Sequence, residues 1–142
     1  MPFVHSKNSK LEVTDSGAVN RDLSAFIDST SGLPGAPDLS EVTAFGDAGT
    51  KSIKGIENAT FSIKGHFDTT ASSGPHAVLS GLRNATAVST FKYGPAGNTT
   101  GLPRMTGSCW LQNYEVESSV GDKVSFTAEF KVDGAVTVDS YP

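Results

Sequence analysis

"KVSFTAEFKV", residues 123–132, alternates without a break. Val124, Phe126, Ala128, Phe130 and Val132 fall on one side; Lys123, Ser125, Thr127, Glu129 and Lys131 fall on the other. A period of two over ten residues marks a strand with one face on a core and one in water. "ATFSIKGHFD" (59–68) repeats the pattern, with Phe61, Ile63, Gly65 and Phe67 set against Thr60, Ser62, Lys64, His66 and Asp68. "MTGSCWLQNYEVE" (105–117) reads as a third strand, with Trp110, Tyr114 and Val116 in phase. The turn residues of "SSVGD" join it to 123–132 as a hairpin of two long strands. Phe61, Phe67, Phe126 and Phe130 are the expected core aromatics.

The rest of the chain fits around this hairpin. "KLEVTD" is a first strand with Leu11 and Val13 inward, and "DSG" (15–17) is a turn. "DLSAFIDS" (22–29) suits either a strand or a short helical turn. "AVSTFKY" (87–93) is a strand, "DG" (133–134) a turn, and "AVTV" a final short strand. "GPHAVLSGLRNAT" carries the helix: Pro75 suits its first position, and Val78, Leu79 and Leu82 share a face. Asn84 is placed at the left-handed C′ position. A helix of about ten residues is marginal alone, so Leu79 and Leu82 must pack on the sheet. The expected fold is mainly β: two packed antiparallel sheets, as a sandwich or partly closed barrel, flanked by one short α-helix.

Residues 30–55 stand apart. "TSGLPGAPDLSE" holds Pro34 and Pro37, each of which removes a backbone donor and forbids a central strand. The segment reads as a long excursion with one short strand at 40–45 and "KSIKGI" as its returning arm. A loop of this length in a compact domain is functional or disordered. The 142 residues form one domain, with 1–10 as an N-terminal arm.

Little in the chain points to catalysis. The charge of −4 argues against an electrostatic nucleic-acid binder. It is unevenly placed: residues 11–47 hold seven acidic side chains against Arg21, a net −6. No apolar run approaches the ~18 residues of a membrane span, and "MPFVHSKNSK" lacks the apolar core of a signal peptide. The lone Cys109 is a small buried hydrophobe rather than a nucleophile. His5, His66 and His76 have no metal-ligand spacing, and "GPAGNTTG" lacks the lysine of a phosphate loop. Asn58, Asn84 and Asn98 open N-x-T triplets, read as products of composition. Trp110 and Tyr114 are assigned to core packing before a sugar-stacking platform. The remainder describes a building part better than an enzyme; no cofactor is expected.

"RDLSAFIDSTSGLPG", "TAFGDAGTKSIKGIENATFSIKGHFD", "GPHAVLSGL", "YGPAGNTTG" and "SCWLQNYEVESSVGDKVSFTAEFKVDGAVT" follow one another in this chain. Their order, over roughly residues 10–139, resembles the tail tube (major tail) proteins of long-tailed, non-contractile bacteriophages. The resemblance implies a virion structural protein, assembled in a host cytoplasm, whose hexameric rings stack into a hollow tube. Sheets of neighbouring subunits join around the lumen as a continuous barrel, and genome DNA leaves through it without sequence-specific binding. Implied partners are further copies, a tape measure protein, a tail terminator and a distal tail protein.

On this resemblance residues 30–55 form the inter-ring loop, with Leu33, Pro34, Asp38, Glu41, Phe45, Asp47, Lys51 and Lys54 as its contact residues. Lys51 and Lys54 are expected to meet Asp38, Glu41 and Asp47 across rings. Glu12, Asp15, Asp22 and Asp28 are the acidic residues expected to face the channel. Two alternatives stand beside this reading: another β-rich virion part, such as a capsid decoration or tail-fibre domain, and a carbohydrate-binding β-sandwich using Trp110.

Overall fold

The computed structural model describes residues 4–33, 35–57 and 59–142; Pro34 and Asn58, singled out above, lie outside them. Among the described residues the strands are β1 (Lys10–Thr14), β2 (Asn20–Asp22), β3 (Ile27–Ser31), β4 (Pro37–Glu41), β5 (Ser52–Glu57), β6 (Thr60–His66), β7 (Ser89–Gly94), β8 (Pro103–Glu117) and β9 (Ser125–Ser140). The α-helix, α1, spans Pro75–Arg83, and short 3-10 turns cover Ser6–Asn8 and Ser24–Phe26. Seven strands form one antiparallel sheet in the order β2-β1-β7-β8-β9-β6-β3, while β4 and β5 pair with each other alone.

The connection between β2 and β3 dictates the shape. These strands are the two outer edges of the seven-stranded sheet, and laid flat they would stand about 29 Å apart. The chain passes from Asp22 to Ile27 in five steps, which span at most about 17 Å. The sheet therefore curls until its edges approach. Leu23 N–H donates to Leu11 O at 3.0 Å, and Leu11 N–H donates to Ser24 Oγ at 2.9 Å, fixing the linker against β1.

The curl makes two layers that share the long hairpin. The first is β2-β1-β7 with the near half of β8 and the far half of β9; the second is the far half of β8, the near half of β9, β6 and β3. Register shifts mark the corner. From Thr106 to Ser108 β8 advances two residues while β9 moves four, from Thr137 back to Asp133; from Leu111 to Asn113 β8 advances two while β9 advances one. Such bulges bend strands and raise their twist. The expected Asp133–Gly134 turn is thus no turn: Gly134, at φ +92°, sits in this irregularity and β9 continues through it.

Between the layers lie Phe61, Phe91, Phe126 and Phe130, all essentially inaccessible, with Leu11, Val13, Leu23, Ile63 and Cys109. Each such side chain contributes about 1.5–3 kcal/mol of burial energy. Helix α1 starts at Pro75 and buries Val78, Leu79 and Leu82. Phe67 is only half-buried, its ring 5.0 Å from that of His76. Asn84 caps α1 at φ −107°, not left-handed, because its N–H turns back to Leu82 O.

Two inward assignments need correction. Val124 precedes β9 and is 37% exposed. Trp110 pairs with Lys131 on the outer face and is 39% exposed, whereas Cys109 and Tyr114 turn inward. The bulge at Gln112 is the cause: one extra residue reverses the alternation, so Trp110 and Tyr114 lie on opposite faces.

Candidate assembly surfaces

The excursion is a projecting β-hairpin. Strand β4 at 37–41 replaces the expected strand at 40–45, and 52–57 is the returning arm. Pro37 pairs with Glu57, Leu39 with Lys54 and Glu41 with Ser52. The hairpin has no core: Leu39, Val42, Phe45, Ile53 and Ile56 are all exposed, Phe45 fully so. A Cβ added at Gly46 or Gly49 would meet nothing within 4 Å, so the tip stands clear of the body. β-Branched and aromatic residues left in water on a strand pair mark a surface awaiting cover.

The named loop residues take different roles. Leu33 packs against the core at the hairpin's root. Phe45 is the tip. Asp47 accepts the Ala44 N–H at 2.7 Å and pairs with Lys51 at 2.8 Å within the same chain. The Lys51 hydrogen bond, then that of Ala44, holds the Asp47 carboxyl below its usual range. Glu41 accepts from Thr43 Oγ1 at 3.2 Å. Asp38, Glu41 and Lys54 remain exposed on the arms.

The acidic candidates do not converge. Glu12 and Asp22 face each other across β1 and β2, and Asn20 donates to Glu12 at 2.6 Å. Asp15 organises the turn between those strands: it accepts the N–H groups of Gly17 and Val19 and pairs with Arg21 at 2.9 Å. The Val19 N–H, then Arg21, lowers its pKa. Asp28 lies on the other layer, between His66 at 2.9 Å and Lys123 at 3.0 Å. Its pKa is lowered chiefly by the Lys123 hydrogen bond, with the charge of His66 adding to it.

Register identifies Asp28's neighbours. The outer face of the second layer aligns Glu115 with Thr127 and Lys64, Glu117 with Ser125 and His66, and Asn113 with Glu129 and Ser62. The sequence places Glu115 and Glu117 together on one strand face, where a glycosidase pair would need a partner carboxylate it does not show, but not beside Asp28, because their strand's place in the sheet is not written in their own alternation. Strand edges are open at β2, at β3, at 110–117 of β8 and at 134–140 of β9, which have no strand partner on one side among the described residues.

Reactive constellations are missing among the described residues: no three of His, Cys, Asp and Glu gather to hold a metal. Burial pushes the Cys109 thiol up to about 12, which keeps it protonated and inert. His76 Nδ1 and Tyr114 Oη share a 2.9 Å hydrogen bond that ties α1 to β8. No helix among the described residues is long and apolar enough to cross a membrane.

No protein-family model matches the sequence, and no curated protein matches it. Solved structures match over nearly the whole chain. The tail of an empty gene transfer agent particle, refined with C6 symmetry, aligns at TM-score 0.78 and 14% identity, covering 97% of this chain and 100% of that one. The SPP1 tail tube aligns at TM-score 0.75 and 10% identity, covering 97% and 80%. The sheath–tube complex of an extracellular contractile injection system, PVC, in its extended state aligns at 0.69 and 13%, covering 97% and 92%. The curled two-layer sheet, its flanking helix and its projecting hairpin are together the tail tube fold.

Proposed function

We propose that this chain is the structural subunit of a phage-type tail tube, and that it works in the virion tail by self-assembly and not by catalysis. Copies join through open strand edges into hexameric rings, the rings stack, and DNA leaves through the lumen. The observation that carries this reading is the β4–β5 hairpin: a coreless, apolar projection on a body that has the tail tube fold. Open edges support the lateral contact. An exposed edge is an aggregation hazard in a monomer, and pairing around a ring removes it. The ends of such a tube would be met by the tape measure protein, terminator and distal tail protein.

The outer face of the second layer is the proposed channel wall. It carries Asp28, Glu115, Glu117 and Glu129 against Lys64, Lys123 and Lys131, with short hydroxyls between. A wall without basic excess gives DNA phosphates no sites for counterion release, so the strand slides. Glu12, Asp15 and Asp22 then lie on the other layer and outside the channel. A sugar platform finds no support, since Trp110 and Tyr114 are on opposite faces. Negative-stain imaging of the concentrated protein is the test: tubes of uniform width are expected, and monomers at every concentration overturn the reading.

A further inference from the structure

Asp133 and Gly134 lie in the irregularity at the corner of the sheet. Ladder pairing steps from Ser108–Asp133 to Thr106–Thr137, so Gly134, Ala135 and Val136 have no partner in β8. Pairing of β9 with β6 ends at Lys131, so they have none on the other side either. A bulge leaves its extra residues outside the ladder in this way. Asp133, Gly134 and Ala135 are all exposed. Gly134 has φ +92°, and a Cβ there would meet nothing within 4 Å.

The carboxylates single this position out. Of nine aspartates, four are held in ion pairs and three more accept a backbone N–H. Asp38 and Asp133 have no side-chain partner among the described residues. Leu39 follows Asp38, and its branched side chain crowds the amide nitrogen beside it. Gly134 has no Cβ to do so. Asp133 alone joins an untethered carboxylate to an unscreened backbone nitrogen.

We infer that Asp133 is a site of spontaneous isoaspartate formation. The Gly134 amide nitrogen attacks Cγ of the protonated Asp133 carboxyl. The N–Cγ bond forms, and the amide proton and the carboxyl hydroxyl leave as water, giving a five-membered succinimide. Water then opens the ring. Cleavage of the N–Cγ bond restores aspartate. Cleavage between that nitrogen and the Asp133 α-carbonyl carbon sends the chain through Cβ and Cγ and leaves the α-carboxylate as the side group. Water is the only reactant, and mass and charge are conserved overall. The added backbone atom enters where β9 already spends four residues against two of β8, so the register on either side is kept and the change accumulates in folded subunits. The chemistry needs only the monomer. Its consequence, a record of age in a particle that renews none of its subunits, rests on the virion reading.

Ageing the native monomer in mildly acidic buffer tests the site. Trypsin releases residues 132–142, which carry Asp133 and Asp139 on one peptide. Isoaspartate is detected by methyl transfer from S-adenosylmethionine with a protein-isoaspartate methyltransferase, and located by electron-transfer fragmentation. It should rise with time at 133 and stay at background at 139. Asp133→Glu should lose the signal, because its ring would need six members. Asp133→Asn closes the same ring with loss of ammonia and should take on the mass of the parent chain. Isoaspartate that forms at 133 in urea but not in the native chain overturns the site, as does its absence from both, or equal formation at Asp38 or Asp139. The urea midpoint of aged protein should match that of fresh protein. A midpoint that falls in step with isoaspartate content overturns the claim that the corner absorbs the added atom.

Discussion

Phe61 and Phe91 hold their ring centroids 4.8 Å apart, although β6 and β7 stand three places apart in the sheet. A flat sheet would separate these strands by about 14 Å. Their contact is the point where the two layers close on each other, and Phe130, the partner of Phe61 across β6 and β9, stacks on it at 4.9 Å within the second layer.

Truncating this cluster should be costly. Phe61→Ala or Phe126→Ala is expected to lose about 3–5 kcal/mol of monomer stability, as a cavity among side chains that cannot collapse. Lys123→Ala removes only a solvent-exposed pair with Asp28 and should cost under about 1 kcal/mol. Urea unfolding of the monomer measures both, and equal losses would refute the assigned faces.

Hairpin and body should separate cleanly. Replacing Asp38–Ile56 by two glycines joins Pro37 to Glu57, which already face each other. The shortened chain should unfold within about 1 kcal/mol of the parent, since no buried core side chain is lost, yet form no tubes. Electron microscopy alongside urea unfolding distinguishes this from simple misfolding.

Cys109 should report the integrity of the core. A thiol pushed up to about 12 is almost wholly protonated at pH 8, so maleimide labelling of the native monomer should be slow and should accelerate sharply with unfolding. Rapid labelling without denaturant would mean that the β8–β9 corner opens locally.

Acid should weaken the fold through its paired aspartates. Asp15, Asp28 and Asp139 have folded pKa values below the ordinary 3.8. Their stabilisation is present above that value and is lost as pH falls through the lower folded values. Stability should be level from about pH 7 to 5 and decline below about pH 4. Asp28→Asn should flatten part of that decline, and an unchanged slope would show that Lys123 and His66 do not hold this carboxylate in solution.

Charge on the proposed wall should matter more than charge on the other layer. Glu115→Lys/Glu117→Lys is expected to assemble but to impair DNA delivery in an infection assay. Asp22→Lys should assemble and deliver normally. Equal infectivity of both variants would exclude the second layer's outer face as the channel lining.

The alternations at 59–68 and 123–132 foretold the central strands and the buried Phe61, Phe126 and Phe130, though not that Phe67, beyond the end of β6, is only half-buried. They worked within β6 and β9, where each face meets one uniform environment, and failed at Phe67 and Val124, which lie just beyond the strand ends. The pattern misled where a bulge intervened. Nothing in "CWLQNYEV" says that Gln112 is skipped by β9, so the alternation puts Trp110 inside and does not set Glu115 and Glu117 beside Asp28. Asp133–Gly134 looked like a turn because a glycine at positive φ serves turns and strand irregularities alike. That residues 30–55 stand apart from the core was legible from their Gly and Pro content, and Phe45 and the acidic residues of the arms are exposed there. A groove lined by Lys7, Leu11, Ile27 and Tyr93 was not legible, because these residues are brought together only by the curl of the sheet.

That curl also sets an order of events. The turn between β8 and β9 is short and closes early, whereas pairing of β1 with β7 joins Leu11 to Tyr93, a loop of some eighty residues whose closure is entropically the harder step. A chain still waiting to dock its N-terminus leaves the edge of β7 unpaired and the core around Leu11 and Val13 open to water, so the first layer is the last part of the subunit to close.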